Sequence, residues 1–356
     1  MATTNGVYSI ADLLQVKNAS AADFGVETIN AAIQAETSYT NEYVNQMLSD
    51  LIQPTTNQIE VWGGGQAHLM TEIDERGEAL PQRQVLGINA AAPLRRFQQK
   101  LGWTQKYFEL KTPAELAAQY LALRKGYLLE IQRQIKKSIF NNVRADFVDN
   151  LYNGVTLTNV YPFLNADSTV IPDSPAGASF TVSTHDHYDG EGSFTPGFID
   201  ALVSDVSEHG NTRGLKLYTA LADVGNFTSA SAGFTGLPTG ETQTYLTQLV
   251  SGQTADFSDL ENKLLGYWTG GVEVWVKPWC IANYVVCVAT GMGEKALLYR
   301  QRPQSSLQGW RIAAPYEEYP MIAEHAEAEF GFSAFNRTMA AVLYFANATY
   351  AVPTIA

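Results

Sequence analysis

Cysteine is scarce in this chain of 356 residues, which contains two. Cys280 and Cys287 lie seven positions apart in one β-like run, so an extended backbone turns their side chains to opposite faces. That geometry excludes a disulfide between them. Their spacing also fits neither a zinc site nor a redox pair. We expect both to be buried as small apolar residues, as in proteins of a reducing cytosol.

Charged residues are also few, because Asp, Glu, Lys and Arg together make up 17% of the chain. A low charge content favours extensive contacts between subunits, since charged groups are costly to desolvate. The formal net charge is −13. Proteins that bind nucleic acid by themselves carry a net positive charge on the binding domain. The negative net charge therefore excludes nucleic-acid binding by the chain as a whole.

Long apolar runs are missing as well. The longest candidate for a membrane span, residues 272–289, is interrupted by Glu273, Lys277 and Pro278. The first residues lack the basic start and the apolar run of a signal peptide. We therefore expect no membrane association and no cleaved leader.

The most specific pattern in the chain lies between Tyr316 and Ala348. It reads Tyr-Glu-Glu-Tyr-Pro, then Glu-Phe-Gly-Phe-Ser-Ala-Phe-Asn-Arg, then an apolar run. Phe330 and Phe332 alternate with small residues as in a half-buried strand, and Gly331 indicates a close backbone neighbour or a bulge. The alternation alone also fits a core strand of any α/β protein. The whole segment resembles the C-terminal strands of major capsid proteins of tailed bacteriophages, which have the Hong Kong 97-type fold.

The order of the other segments fits the α+β layout that this resemblance implies. Its parts would be an N-terminal arm and helix (1–56), an extended E-loop hairpin (57–111), a peripheral domain with a long spine helix (112–195), an axial domain (196–315) and C-terminal strands that return to the peripheral domain (316–356). Within the first part, Asp23 predicts the start of a helix that runs to about Leu51.

The spine helix has the clearest start in the chain. Thr112 suits the N-cap, Pro113 the first helical position, and Glu115 completes a capping box. Apolar spacing carries the helix to about Phe147, a length of roughly 50 Å. Its basic residues are Arg124, Lys125, Arg133, Lys136, Lys137 and Arg144, of which the first five are the candidates for an inner basic face. The helix lies on the inner side of the shell in the capsid family, so the resemblance implies a basic face toward packaged DNA; a merely solvated face is the alternative.

The resemblance implies a major capsid protein, which is a structural and non-catalytic subunit without a cofactor. It would self-assemble as hexamers and pentamers into the icosahedral head of a virion and enclose double-stranded DNA. Assembly in the host cytoplasm would involve a portal and, because the N-terminal arm is short, a separate scaffolding protein. Decoration proteins are a further class of partner.

The E-loop carries two expectations of its own. Arg76, Glu78 and Arg83 lie in its charged middle and are the candidates for salt bridges between subunits. In some capsid proteins of this family, neighbouring subunits are covalently cross-linked by Lys–Asn isopeptide bonds whose lysine lies in the E-loop. No lysine occurs between Glu60 and Gln99, so such cross-links are not expected.

Two alternatives to the capsid interpretation remain. An encapsulin, a cellular shell that holds enzyme cargo, would have the same architecture. A metal-dependent hydrolase is suggested by the segment Thr-His-Asp-His-Tyr-Asp-Gly at residues 184–190, which resembles the Thr-His-x-His-x-Asp-His motif of metallo-β-lactamase-type enzymes. His185, His187 and Asp189 would then be metal ligands.

The hydrolase motif is incomplete, because Gly190 replaces its last histidine. The remaining histidines, His68, His209 and His325, lie in no matching context. A polar surface loop is therefore the default interpretation of residues 184–190, with no metal bound.

Overall fold

The secondary structure, taken from a computed structural model, is described for residues 8–63, 77, 87–174, 177–230, 232–236, 263–318 and 321–355. The α-helices in these ranges are α1 (Ile10–Gln15), α2 (Ala21–Phe24), α3 (Val26–Leu48), α4 (Gln105–Leu110), α5 (Pro113–Phe140), α6 (Pro196–Ser207) and α7 (Val224–Ser229). The strands are β1 (Ile52–Thr55), β2 (Ile59–Trp62), β3 (Ile88–Ala91), β4 (Arg95–Thr104), β5 (Ala145–Val148), β6 (Thr156–Val160), β7 (Tyr188–Gly190), β8 (Leu215–Thr219), β9 (Phe234–Gly236), β10 (Lys263–Trp268), β11 (Val272–Val276), β12 (Tyr284–Ala289), β13 (Leu297–Gln301), β14 (Trp310–Glu318), β15 (Met321–Ala334) and β16 (Ala340–Tyr344).

The N-terminal helices differ from the single helix predicted to start at Asp23. The Ser20 hydroxyl accepts a hydrogen bond from the Asp23 backbone N–H, so Ser20 is the cap and Asp23 the third residue of the short α2. Gly25 then has a φ of 102°, a left-handed conformation that interrupts the helix and that glycine tolerates best. Helix α3 begins beyond this break, at Val26, and ends before Leu51.

The spine helix α5 begins as predicted and ends earlier. Thr112 Oγ1 accepts from the Glu115 N–H at 3.3 Å, and a Glu115 carboxylate oxygen accepts from the Thr112 N–H at 3.0 Å. The helix ends at Phe140 rather than Phe147, because Asn141 is extended and its side chain bonds locally to the backbone of Val143. The 28 residues of the helix span about 42 Å.

One sheet has five strands, in the order β1–β13–β15–β14 with β4 also paired to β15. Phe330 and Phe332 of β15 are buried, as predicted for this strand. The close backbone neighbour predicted at Gly331 is Pro93, since a Cβ at Gly331 would lie 2.1 Å from the Pro93 carbonyl oxygen.

A second sheet has seven strands, in the order β7–β16–β12–β8–β11–β10–β9. Strand β16 pairs with β12 and β7 here, although residues 316–356 were expected to return to the peripheral domain. Conversely, β13 falls within the predicted axial range but pairs with β1 and β15 in the first sheet. Cys280 and Cys287 are buried free thiols, as predicted.

Two smaller ribbons, β2–β3 and β5–β6, complete the described strands. Strand β3 lies against β6. Strands β2 and β3 flank the segment assigned to the tip of the E-loop, most of which lies outside the described residues. Among the helices in the described ranges, none has the length and apolar character needed to cross a membrane.

Candidate functional site

Three histidines from two separate segments meet beside the edge of the seven-stranded sheet. His185 and His187 come just before β7, on either side of Asp186, which forms an isolated β-bridge with Asn165. The His187 N–H donates to the Leu164 carbonyl, and the His187 carbonyl accepts from the Val342 N–H of β16. His209 comes two residues after the end of α6. The strand edge and the helix end together fix where the three rings lie.

The Nε2 atoms of the three rings converge. His209 Nε2 lies 2.9 Å from His185 Nε2 and 3.1 Å from His187 Nε2. Glu208 brings a carboxylate oxygen to 3.4 Å from His185 Nε2 and 4.0 Å from His209 Nε2. The Phe180 ring covers the cluster, with its centroid 4.1 Å from that of His209. We call His185, His187, His209 and Glu208 the histidine cluster.

Burial lowers the pKa values of the three imidazoles of the histidine cluster, which favours their neutral forms. His187 Nδ1 lies 2.8 Å from the Ala340 carbonyl oxygen, which can only accept, so Nδ1 carries the proton and Nε2 a lone pair. Burial, together with the nearby His209, lowers the pKa of His187 to about 3. Burial and His185 lower the pKa of His209 to about 3, and burial lowers the pKa of His185 as well. Neutral imidazole is the form that binds metal ions.

Asp189 does not join the histidine cluster, contrary to the motif that grouped it with His185 and His187. It is hydrogen-bonded to Asp205 in α6, and burial together with the Asp189 carboxylate raises the pKa of Asp205 to about 8. Two residues along a strand advance the chain about 6–7 Å. Asp189 therefore meets the body of α6, whereas His187 meets its end.

Glu208 and His209 are the cluster members that the sequence motif did not reveal. A local signal exists, because the Glu-His pair directly follows α6 in the sequence. What the sequence does not encode locally is the packing that brings this helix end to the segment at residues 185–187, which comes 22 residues earlier.

Arg124, one of the five residues predicted to form a basic face on α5, is buried. Arg124 donates to Glu36 of α3 at 2.7 Å, and the two side chains are 3% and 7% exposed. A buried and paired guanidinium cannot contact a ligand on the helix surface. Arg124 therefore fastens α5 to α3, and its assignment to a DNA-facing surface was wrong.

The other basic residues of α5 reach the surface. Lys125 and Lys137 are exposed, and Arg133 and Lys136 are half-buried. Burial, Arg133 and Arg95 lower the pKa of Lys137 against the opposing effect of Glu130. The cations are thus close enough to repel one another, as in a patch that attracts anions. We call Arg95, Arg133 and Lys137 the basic patch, and we include Lys136 because it is next to Lys137 in the sequence.

The two ribbons expose large apolar side chains. Ile59 and Val61 lie on β2, Val148 on β5, and Tyr152 and Val155 in the β5–β6 connection, and all five are exposed. Two-stranded ribbons bury little apolar surface of their own. Apolar groups left exposed side by side are typical of surfaces that contact another protein.

The remaining residues predicted at a subunit interface, Arg76, Glu78 and Arg83, lie outside the described residues. The salt bridges assigned to them stay a prediction.

The chain matches no protein-family model, and no curated protein matches its sequence. Its structure is similar to a chain in the structure entitled "Mycobacterium phage Patience", with 19% sequence identity, a TM-score of 0.63, and coverage of 99% of this chain and 96% of that one. A chain from the "Capsid of empty GTA particle" is 12% identical with a TM-score of 0.47, covering 84% and 89%. A chain of the SrpI encapsulin complex of Synechococcus elongatus is 11% identical with a TM-score of 0.44, covering 84% and 86%.

The first of these similarities extends over nearly the whole of both chains. Such coverage includes the N-terminal helices, the spine helix and both sheets, so it concerns the complete fold and not a shared motif. The chain has the α+β fold of Hong Kong 97 type that its C-terminal segment predicted.

Proposed function

We propose that this chain, with its Hong Kong 97-type fold, is the major capsid protein of a tailed bacteriophage and builds the icosahedral shell around double-stranded DNA. The observation that carries the proposal is the full-length similarity in fold to a chain of a phage structure. The role is structural and non-catalytic. The subunits form hexamers and pentamers in the virion head, and assembly takes place in the host cytoplasm.

The exposed apolar ribbons support self-assembly. Ile59 and Val61 are 45% and 57% exposed in the single chain, on the strand that leads into the E-loop. An E-loop that reaches over an adjacent subunit would cover such side chains. Burial of apolar area contributes about 25 cal/mol per Å², and permanent interfaces commonly bury more than about 2,000 Å².

The basic patch supports a nonspecific contact with packaged DNA. Phosphates attract clustered lysine and arginine regardless of sequence, even on a chain whose net charge is −13. We expect Lys136→Glu combined with Lys137→Glu to reduce the DNA content of otherwise normal shells. A matched control is Lys17→Glu with Lys106→Glu, which changes the net charge equally on exposed residues outside the patch. Full packaging by the patch variant would contradict this contact.

The partners in this proposal are a separate scaffolding protein, a portal and decoration proteins. The Arg76, Glu78 and Arg83 side chains of the E-loop tip would form salt bridges with the neighbouring subunit. Isolated exposed pairs contribute little, but the same buried pair would recur at every equivalent interface of a closed shell.

The test is negative-stain electron microscopy of the purified chain, alone and with its candidate scaffolding protein. Closed shells, or rings of five and six, are the expected result. A monodisperse monomer under both conditions would contradict the proposal. Shells that copurify with protein cargo rather than nucleic acid would instead identify an encapsulin.

A further inference from the structure

We propose that His185, His187, His209 and Glu208 form a structural site for a divalent transition metal, and that Zn²⁺ is the ion that fits them best. Imidazole nitrogen and carboxylate oxygen are usual zinc ligands. Four protein ligands complete a tetrahedron and leave no coordination position for a substrate, so the site is structural rather than hydrolytic. The site lies within one chain and does not depend on the proposed role in a shell.

The spacing of the ligand atoms fits one tetrahedral ion. Atoms that each lie 2.0–2.1 Å from such an ion stand about 3.3 Å apart. The nitrogen pairs are at 2.9 and 3.1 Å, and the Glu208 oxygen is 3.4 Å from His185 Nε2. Glu208 is 4.0 Å from His209, and all four ligand atoms lie within 4.8 Å of one another, so the half-exposed Glu208 carboxylate has to move closer to bind the same ion.

Without a cation, the cluster has one way to satisfy its Nε2 atoms, in which His209 donates to His187 and His185 donates to the Glu208 carboxylate 3.4 Å away. His187 Nε2 has only a lone pair, because its Nδ1 donates to Ala340. If His209 Nε2 carries a proton for His187, it has no lone pair for His185; if it carries none, two lone pairs face each other 3.1 Å apart. A central Zn²⁺ accepts all three lone pairs at once.

The ion would join two parts of the fold that are otherwise held by packing and by hydrogen bonds such as that between Asp189 and Asp205. His187 is anchored to β16 through its own carbonyl and through Nδ1, whereas Glu208 and His209 end α6. Strand β7, which follows His187 directly, is an edge strand of the seven-stranded sheet. Zinc would clamp the end of α6 onto this edge and raise the free energy of unfolding.

The test measures zinc in the folded chain. The purified protein is loaded with Zn²⁺, freed of excess ion by gel filtration and analysed by mass spectrometry for metal, while Co²⁺ titration reports tetrahedral geometry by its visible absorption. We expect one ion per chain. His185→Gln and His209→Gln should each weaken binding by more than the roughly 10–100-fold typical of changes to outer-shell partners of a metal site. His325→Gln, which alters a histidine of β15 outside the cluster, is the matched control.

Thermal unfolding gives a second readout. Chelation of the metal should lower the melting temperature of the wild type and of His325→Gln by several degrees, and leave that of His209→Gln unchanged. Glu208→Gln, at a half-exposed position, keeps the test valid if a histidine variant fails to fold. A folded wild type that retains no zinc and gains no thermal stability from it would overturn the proposal. The proposal would also be overturned if the wild type, Glu208→Gln, His185→Gln and His209→Gln bound zinc equally.

Discussion

Gly331 and Lys277 are each constrained by a group from another segment of the chain that lies close to them. Gly331 has no room for a side chain because the Pro93 carbonyl lies where a Cβ would be. Lys277 is buried with its ammonium 4.7 Å above the Tyr218 ring. Both constraints come from segments distant in sequence, and both have measurable consequences for stability.

Gly331→Ala should lower the free energy of unfolding by about 2–4 kcal/mol. The added methyl group would lie 2.1 Å from a backbone oxygen, so either β15 or the segment at Pro93 must move. Gly293→Ala is the control, because no atom lies within 4 Å of a Cβ at that position. Chemical denaturation of the unassembled chain measures both. Equal stability of the two variants would show that the close approach at Gly331 is absent in solution.

Lys277→Met should stabilise the chain below about pH 8. Burial lowers the pKa of Lys277 from 10.5 to about 8, so the unfolded state binds more protons between these values and stability rises with pH across that window. The variant should therefore gain up to about 3 kcal/mol at neutral pH, and the gain should shrink toward pH 10.5. Lys106→Met, at an exposed position, is the control. A gain that stays constant from pH 7 to pH 10.5 would contradict the assignment to Lys277.

At the level of elements, the sequence predicted what is encoded locally. The capping box at Thr112 and Glu115 starts the spine helix as expected, and the alternation around Phe330 gives a buried strand. The ends of helices were harder to predict, since the bonds of the Asn141 side chain to the backbone of Val143 decide where α5 stops. The histidine cluster needed knowledge of how α6 packs beside β7, which no local pattern contains.

The pairing of α5 with α3 can be tested by removing the charges separately and together. Arg124→Met leaves Glu36 buried without its cation and should cost about 3–5 kcal/mol of stability. Arg124→Met with Glu36→Met should recover most of this loss, because an apolar pair replaces the ion pair. The control is Arg133→Met, whose partner Glu130 is at 3.4 Å and half-buried, with an expected cost of about 0–1 kcal/mol. Additive losses in the double variant would contradict direct coupling of Arg124 and Glu36.

At the level of the whole molecule, the five-stranded sheet combines segments that are far apart in the chain. Strand β1 pairs with β13, and β4 pairs with β15. The chain therefore does not divide at the predicted boundaries of residues 196 and 315. The C-terminal motif could predict the family fold because it lies in β15, the strand to which β4, β13 and β14 all pair.

Assembled shells should come apart into single chains on a denaturing gel. The E-loop segment between Glu60 and Gln99 contains no lysine for a Lys–Asn bond, so the contacts between subunits should be noncovalent. Purified shells heated in detergent should give one band at the monomer position. The matched control is the same chain purified without assembly. A ladder of higher bands from the shells alone would contradict the prediction.

The position of β16 inside the seven-stranded sheet has a consequence for synthesis. Strands β7 and β12 both pair with β16. Residues 188–190 and 284–289 are therefore translated before residues 340–344, which form this partner strand. At roughly 5–20 residues per second, the delay after β12 is several seconds. A fragment released before residues 340–344 are translated therefore lacks one of the seven strands of this sheet.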